Sequence, residues 1–189
     1  MRSAGEATRE RILDAARSEF ARYGIAGARV NRIASEARAS KERLYAYFAN
    51  KEDLFAAVSG RWVTETAAET ALRGDDLPAY AGRLFDNFIA NPHNVRLQRW
   101  ADLEETTRTA DDSRVDAVRS KVREIRRGQQ EGFVDDSWDA VELLVMVTDV
   151  VLSLAVGHSS GSSARRRTDA ARRADAVEAV RRIIAPPSS

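Results

Sequence analysis

The sequence has no cysteine and only two histidines, His93 and His158, among its 189 residues. Disulfide bonds and thiolate metal sites are therefore excluded, and the histidines are too far apart in the sequence to form a metal-binding motif. No apolar run reaches the roughly 18 residues that span a membrane, and the first twelve residues lack the apolar core of a signal peptide. We therefore expect a soluble cytoplasmic protein with no metal, no other cofactor and no membrane contact.

The usual signatures of an enzyme are also missing. The sequence has no Gly-rich phosphate loop, no nucleophile motif and no cluster of histidine, cysteine and acidic residues. Two acidic pairs, Glu104 with Glu105 and Asp111 with Asp112, are poor metal sites because adjacent residues point to different sides of a helix. A helical enzyme is the rival class of protein that these absences disfavour.

Neither sign of charge dominates, since 30 Lys and Arg stand against 29 Asp and Glu. The distribution is uneven, however. Residues 1–55 carry 11 Lys and Arg against 8 Asp and Glu, a net charge of +3, and the remainder carries 19 against 21, a net charge of −2. A mildly basic N-terminal third is typical of a nucleic-acid-binding face, although a scatter of solvated charges gives the same counts.

Helical periodicity is present almost throughout. Apolar residues recur at spacings of three and four, and no strand alternation or Asn-Gly hairpin interrupts them. The pattern predicts an all-α fold of about nine helices. These cover residues 7–23, 30–37, 41–48, a fourth helix over 51–73 capped by Asn50, a fifth helix capped by Asp76, a sixth over 92–103, then 112–130, an eighth capped by Asp136 that includes 141–156, and 169–184.

Residues 29–51, RVNRIASEARASKERLYAYFANK, are the most informative stretch. Apolar residues at i, i+3, i+4 and i+7 from Val30 predict one short helix, and three residues separate it from the next. Ser40 is a favourable N-cap for that next helix, which buries Leu44 and Phe48. Two short helices with a three-residue turn match helix-turn-helix geometry, although short helix pairs occur in many helical proteins.

The surrounding segment 24–55, GIAGARVNRIASEARASKERLYAYFANKEDLF, closely resembles the DNA-binding domain of the TetR family of bacterial transcriptional regulators. The matching positions in and beside the helix pair are Gly24, Ile33, Ala34, Ala37, Leu44, Tyr45, Tyr47, Phe48, Asn50, Lys51, Glu52, Asp53 and Leu54. The resemblance is specific over residues 8–58. It implies an N-terminal three-helix DNA-binding domain, residues 1–50, and a C-terminal helical ligand-sensing and dimerisation domain, residues 51–189.

The segment departs from the family at two positions. Arg29 begins the second helix where the family usually has threonine, and Arg38 lies in the turn where the family usually has glycine. Arg29 can keep a phosphate contact, because a guanidinium pairs well with phosphate. Arg38 places a side chain where a left-handed residue is common, at modest strain, or else indicates a slightly different turn.

Residue types at the start of the third helix predict base contacts. Lys41, Glu42 and Arg43 open this helix, and the N-terminal residues of a recognition helix reach base edges in the major groove. Arg43 or Lys41 can pair with guanine, and Glu42 can accept a hydrogen bond from cytosine. Ordinary solvated side chains are the alternative for all three.

The resemblance implies further contacts with the DNA backbone. Tyr45 and Tyr47 match aromatic positions that contact phosphate, sugar or thymine methyl groups, and Lys51 matches a phosphate contact at the start of the fourth helix. Together with Arg29 and Ser40 they complete the predicted DNA-binding set. The alternative is that Tyr45 packs against the protein and Lys51 is a surface charge.

The eighth and ninth helices predict a homodimer. A single helix-turn-helix buries little DNA, so such modules usually act as dimers on palindromic half-sites about 34–36 Å apart. The stretch 141–156 is apolar almost all round, which predicts burial on most sides. The resemblance implies that helices eight and nine form a four-helix bundle with a second copy. The alternative is that these faces only build the core of one chain.

Helices five to eight supply aromatic and apolar residues with a few polar ones, a composition that suits a small amphipathic effector. The predicted ligand-binding residues are Phe85, Phe88, Trp100, Glu104, Met146 and Asp149. Asp149 is the sharpest candidate because a carboxylate inside an apolar helix needs a partner, such as a ligand cation, Arg99 or a second copy of the chain. A structural ion pair or a position on the helix surface is the competing interpretation.

We therefore predict a sequence-specific DNA-binding transcriptional regulator. We expect a repressor that releases its palindromic operator when an unknown small molecule shifts the dimer to a spacing that no longer matches the groove. The alternative is a helical small-molecule-binding or interaction protein without DNA binding. Arg38 in the turn and Glu42 at the start of the third helix are the features that favour this alternative.

Overall fold

A computed structural model describes residues 4–103, 112–156 and 167–186 of the chain. Across these residues the chain forms helices and no strands, which confirms the predicted all-α fold. The helices in these ranges are α1 (Ala4–Gly27), α2 (Val30–Glu36), α3 (Lys41–Tyr45), α4 (Lys51–Glu69), α5 (Leu77–Ala90), α6 (Pro92–Leu103), α7 (Asp112–Gln130), α8 (Ala140–Val156) and α9 (Asp169–Ile183). None of these helices is long and apolar enough to cross a membrane.

Two helices begin where a side chain caps their first turn, as the sequence predicts. The Asn50 side-chain oxygen accepts a hydrogen bond from the Asp53 backbone N–H at 2.7 Å, and the Asp76 carboxylate accepts one from the Ala79 N–H at 3.3 Å. Each bond satisfies a backbone donor that the first turn of a helix leaves without an intrahelical partner. α4 and α5 therefore start at their predicted positions.

The predicted cap of α8 is wrong. Asp139, and not Asp136, caps this helix, because the Asp139 carboxylate accepts hydrogen bonds from the Val141 and Glu142 N–H groups at 2.8 and 3.1 Å. Asp136 lies three residues earlier, in the turn that precedes the helix. The acidic residue directly before the apolar run supplies the cap, since only its side chain can reach the donors of the first turn.

Several other helix ends differ from the prediction by three or four residues. α3 stops at Tyr45 rather than at 48, and a tighter turn follows in which the Tyr47 N–H donates to the Leu44 carbonyl at 3.0 Å. α4 stops at Glu69 rather than at 73, and α1 starts at Ala4 rather than at 7. Apolar spacing does not locate such ends, because single hydrogen bonds decide where a helix stops.

The first compact unit combines Met1–Thr64 with Pro92–Arg114. Its core is one apolar cluster to which α1, α2, α3, α4 and α6 contribute. The cluster members with 0% exposure are Ile12, Ala16, Phe20, Ile33, Leu44, Leu54 and Leu97. The Phe20 ring meets the Phe55 ring edge-on, with centroids 5.2 Å apart, a favourable geometry for an aromatic pair. α6 therefore shares its core with the predicted helix-turn-helix.

The second compact unit combines Glu65–Asn91 with Val115–Ser189. In this unit α5, α8 and α9 pack against one another. Arg172 of α9 donates hydrogen bonds to the Leu154 and Ala155 carbonyls at 2.8 Å each. These carbonyls belong to the last turn of α8, where the helix itself offers no N–H partner. Arg172 therefore fixes the end of α8 against α9.

Two glycines in this second unit allow two backbones to meet without a side chain between them. A Cβ atom built on Gly74 would lie 2.2 Å from the Glu124 carbonyl oxygen, and one built on Gly128 would lie 2.3 Å from the Gly74 carbonyl oxygen. The Gly74 N–H also donates to the Glu124 carboxylate at 3.3 Å. Only glycine fits at such an approach, so the turn before α5 rests directly on α7.

Candidate nucleic-acid interface

α1 forms the base on which the helix pair is built. Its apolar stripe packs against α2, and a kink at Gly24, with φ 66° and ψ −178°, turns the chain toward α2. A Cβ atom on Gly24 would lie 2.9 Å from Cε3 of Trp100. Glycine is required at this position both for the positive φ and for the close approach of the Trp100 ring.

The turn between α2 and α3 is a Schellman motif with arginine in its left-handed position. The Ala39 N–H donates to the Ala34 carbonyl at 2.9 Å, and the Arg38 N–H donates to the Ser35 carbonyl at 3.1 Å. Arg38 has a φ of 51° and is the one non-glycine residue with a positive φ in the described ranges. The sequence-based expectation of a left-handed residue at modest strain is therefore correct for the backbone.

α3 presents its first turn to solvent and buries its opposite side. The Ser40 side chain caps the helix by accepting a hydrogen bond from the Arg43 N–H at 3.1 Å. Leu44 is fully buried in the core. The side chains of Lys41, Glu42 and Arg43 are all exposed. The structure therefore brings the three predicted base-contacting residues together on one accessible turn.

The Glu42 carboxylate at this turn accepts two hydrogen bonds from its surroundings. Hydrogen bonds from its own backbone N–H and from the Ser40 hydroxyl lower the pKa of Glu42. Its carboxylate is therefore ionised at neutral pH. An ionised carboxylate accepts hydrogen bonds only, which is the property that a contact with the cytosine amino group requires.

Two cation–aromatic pairs order the basic side chains of α3. The Lys41 ammonium lies 5.8 Å from the Tyr45 ring centroid, and the Arg43 guanidinium carbon lies 5.7 Å from the Tyr47 ring centroid. Both pairs join residues four apart, which lie on the same side of a helical turn. Such contacts are worth about 0.5–1 kcal/mol at exposed sites. The aromatic residues therefore restrict where the two cations can point.

The side chains of the other residues predicted to contact DNA differ in their exposure to solvent. Tyr45 is 41% exposed, whereas Tyr47 is half-buried and its hydroxyl donates to the Gly5 carbonyl at 3.0 Å. Lys51 is half-buried at the start of α4, and Arg29 is exposed at the start of α2. Tyr47 therefore has a packing role in this structure, and its predicted contact with DNA stays a prediction, as do the contacts of the other residues in the set.

Glu19 is a residue of this unit that the sequence analysis missed. Its side chain is only 6% exposed, and its Oε1 atom accepts hydrogen bonds from the Arg29 N–H and the Arg32 Nε, both at 2.8 Å. One signal was available. Glu19 lies on the same stripe of α1 as Ala15, Ala16 and Phe20, where a buried carboxylate needs a cationic partner.

The predicted ligand-binding residues occupy different environments. Phe85 and Phe88 are buried in the second unit, and Met146 is half-buried there. Asp149 is exposed on α8 in this single chain, which agrees with the competing interpretation of a position on the helix surface. Trp100 belongs to the first unit, against Gly24, and Glu104 lies outside the described residues. Their roles in ligand binding stay predictions.

A small cavity of about 160 Å³ lies in the second unit between the end of α4 and α7. Its lining residues are Ala67, Thr70, Ala71, Leu72, Ala117, Ser120 and Lys121. None of the predicted ligand-binding residues lines it. Within the described ranges, no group of three or more histidine or acidic residues is arranged to hold a metal ion.

Two family models match most of the chain. Residues 12–58 match the model described as "Bacterial regulatory proteins, tetR family", and residues 76–182 match "Tetracyclin repressor-like, C-terminal domain". The HTH-type transcriptional repressor SCO4008 of Streptomyces coelicolor is 40% identical over 144 residues, which is 75% of each of the two proteins. Both halves of the chain are thus assigned to the same family.

Solved structures agree with this assignment. The crystal structure of SCO4942 from Streptomyces coelicolor, a candidate transcriptional regulator, is 41% identical with a TM-score of 0.82, covering 95% of this chain and 99% of that one. FadR from Bacillus subtilis, solved with stearoyl-CoA, shares the fold at 16% identity and a TM-score of 0.70, covering 93% and 98%. The chain therefore belongs to the TetR family, whose members are transcriptional regulators and not enzymes, bind DNA as dimers and respond to small molecules.

Proposed function

We propose that the protein is a repressor that binds a palindromic operator as a homodimer and releases it when a small molecule binds the C-terminal part of the chain. The observation that carries this proposal is the exposed first turn of α3. Lys41, Glu42 and Arg43 are accessible there, while the Ser40 cap and the buried Leu44 fix the helix beneath them. Residues 1–50 then serve as the DNA-binding domain and 51–189 as the sensing and dimerisation domain.

The DNA contacts divide into two kinds. Lys41, Glu42 and Arg43 carry hydrogen-bonding groups that distinguish base pairs in the major groove. The set Arg29, Ser40, Tyr45, Tyr47 and Lys51 contacts the sugar–phosphate backbone, and the two tyrosines can also contact thymine methyl groups. Backbone contacts fix the register of the protein and carry no direct sequence information. Substitutions in the two sets should therefore have different effects on specificity.

The dimer forms through α8 and α9. In the single chain, Val141 is 44% exposed, Val145 is 54% exposed and Val156 is 42% exposed. These valines lie on a helix whose opposite side is buried in the core, so α8 has apolar surface in excess of what its own chain covers. A second copy that buries this surface removes it from water, at about 25 cal/mol per Å² of apolar area.

Repression and effector release are supported by relatives. SCO4008 is named a transcriptional repressor, and the FadR structure holds a bound acyl-CoA. In this chain the effector is expected at the predicted set Phe85, Phe88, Trp100, Glu104, Met146 and Asp149. A ligand that binds the DNA-incompetent form more tightly shifts the population away from the operator. Such a regulator acts in the bacterial cytoplasm, at the nucleoid.

Selection from genomic DNA with the purified chain tests the proposal. We expect enrichment of a palindrome with half-site centres about 34–36 Å apart, and an affinity that falls linearly with salt on logarithmic axes. Failure to enrich any sequence at low salt, or an affinity that rises with salt, would contradict DNA binding. Either result would favour a helical small-molecule-binding protein instead. Mass spectrometry of ligand that copurifies with the protein would identify the effector class.

A further inference from the structure

α2 begins without a side-chain cap of its own. Arg29 occupies the N-cap position with extended backbone angles, φ −119° and ψ 118°, and its side chain makes no capping hydrogen bond. Threonine is a favourable N-cap, whereas arginine is not. The start of α2 is therefore not fixed by the side chain of its own N-cap residue.

A carboxylate from α1 contacts the backbone at the start of α2. The Glu19 Oε1 atom accepts a hydrogen bond from the Arg29 N–H at 2.8 Å and one from Arg32 Nε at 2.8 Å, and Arg32 Nη2 donates to the same atom. In a capping box, a glutamate at the third helical position accepts from the N-cap N–H. Here that third position is Arg32, and the glutamate that it holds comes from the preceding helix.

Arg32 is held by several groups at once. Besides Glu19, its Nη2 donates to the Gly27 carbonyl at 3.2 Å, and its guanidinium carbon lies 4.4 Å from the Tyr23 ring centroid. The hydrogen bond to Glu19 raises the pKa of Arg32. The buried Glu19 carboxylate thus has a permanent cationic partner, which a buried charge requires. These contacts commit the Arg32 side chain to the protein.

The Arg29 side chain is in the opposite situation. It is exposed, and its guanidinium forms no hydrogen bond or ion pair with any described residue. Its backbone N–H, in contrast, is fixed by Glu19. A guanidinium on an anchored backbone is well placed for a phosphate contact, because less freedom is lost when the contact forms.

We propose that Glu19 and Arg32 are positioning residues for DNA binding: Glu19, held by Arg32, accepts the N-cap N–H that the glutamate of a capping box would accept, and so fixes the backbone at Arg29, whose guanidinium binds a DNA phosphate. This inference rests on the proposed function. It predicts that Glu19 and Arg32 affect DNA binding only through the position of Arg29. A pair with only a structural role would affect thermal stability but not the number of phosphate contacts.

The test combines Glu19→Leu with Arg29→Ala in a double-mutant cycle. Arg29→Ala removes the guanidinium and should weaken binding to the selected operator. Glu19→Leu should also weaken binding when Arg29 is present, because the backbone at Arg29 is no longer fixed, but it should change affinity by less than about twofold once Arg29 is alanine. Equal effects of Glu19→Leu in the two backgrounds would overturn the proposal.

The salt dependence supplies an independent readout. Glu19→Leu alone should make the slope of log affinity against log salt concentration less steep by about 0.9 for each half-site, because one phosphate contact is lost. Its slope should then equal that of Arg29→Ala. Glu19→Gln keeps an oxygen acceptor for the Arg29 N–H and should keep the wild-type slope. Circular dichroism and sedimentation must show folded dimers. An unchanged slope in a folded Glu19→Leu dimer that still binds DNA would contradict the positioning role.

Hydrogen exchange of the wild-type Arg29 amide covers the case in which Glu19→Leu does not fold. This amide should be protected in the free protein, because it donates to a buried carboxylate. Exchange as fast as in an unstructured peptide would overturn the inference. The two proposals fail separately: absence of DNA binding by the wild-type chain removes the proposed function, whereas an unprotected amide in a chain that binds its operator removes only the role of Glu19.

Discussion

The solvent-facing sides of α3 and α8 are opposite in character. α3 is five residues long and exposes Lys41, Glu42 and Arg43, whereas α8 is seventeen residues long and exposes Val141 and Val145. Charged side chains are well solvated and can pair with an oppositely charged partner. Exposed valines, in contrast, leave apolar surface in water, and burial of that surface against another apolar surface is favourable. The face of α3 therefore suits the proposed contact with nucleic acid, and the face of α8 suits the proposed contact with a second copy of the chain.

The largest expected effect comes from placing a charge on the α8 face. Val145→Asp should dissociate the dimer, since the two-fold axis would bring an uncompensated carboxylate from each chain into the interface. Operator affinity should fall at least about 100-fold, because one chain contacts only one half-site. Sedimentation velocity and fluorescence anisotropy measure the two effects.

Val118→Asp is the matched control, since Val118 is also an exposed valine, at 41%, but lies on α7. This variant should remain a dimer with wild-type affinity. If Val145→Asp also remains dimeric, then α8 does not form the interface. If both variants dissociate, the interface extends to α7.

Next in size is the effect of removing a base contact from α3. Arg43→Ala should weaken binding to the best operator by about 10- to 100-fold and relax the preference at one position in each half-site. Competition among operators that differ by single base pairs measures this change. An unchanged ranking of these operators would show that Arg43 does not contact a base and that α3 lies differently in the groove.

A smaller and uniform effect is expected at Lys51. Lys51→Ala should weaken binding to all sequences by a similar factor and reduce the salt slope by about 1 for each half-site, because the lost contact is to phosphate. Lys121→Met, in the second unit, removes an equal charge and should leave the slope unchanged. A loss of affinity confined to one operator sequence would contradict the phosphate role of Lys51.

The smallest effect is expected in the turn that presents α3. Arg38→Gly should raise the free energy of unfolding by about 0.5–1 kcal/mol, because glycine adopts a positive φ without the strain of a Cβ atom. Thermal unfolding measures the gain, and Ala39→Gly should instead destabilise the protein. Operator affinity should not change with Arg38→Gly. A clear loss of affinity would show that the Arg38 side chain contacts DNA.

Local patterns predicted several helix starts and the turn between α2 and α3. The Ser40, Asn50 and Asp76 caps and the left-handed residue at Arg38 follow from short sequence signals, because donor and acceptor lie within a few residues. The choice of Asp136 over Asp139 failed, since two acidic residues close together compete for one helix start. Capping chemistry identifies which residue types end helices but not which of two neighbours does so.

Contacts between distant residues could not be predicted in the same way. Glu19 meets Arg29 and Arg32 from another helix, and a single sequence contains no signal that pairs them beyond an acidic residue on an apolar stripe. Asp149 shows the same limit: its apolar neighbours left both a partnered and a surface position open, and only the packing of α8 decides which side faces solvent. The DNA-binding and ligand-binding residues remain predictions that the experiments above can test.

The crossing of Gly74 and Gly128 has a mechanical consequence for the second unit. Most helix contacts pass through side chains, whose rotamers can adjust and absorb a small shift. At this crossing the two backbones touch directly, with the Glu124 carboxylate as an additional tie to the Gly74 N–H. No rotamer lies between them, so the C-terminal part of α7 and the turn before α5 can move only as one piece.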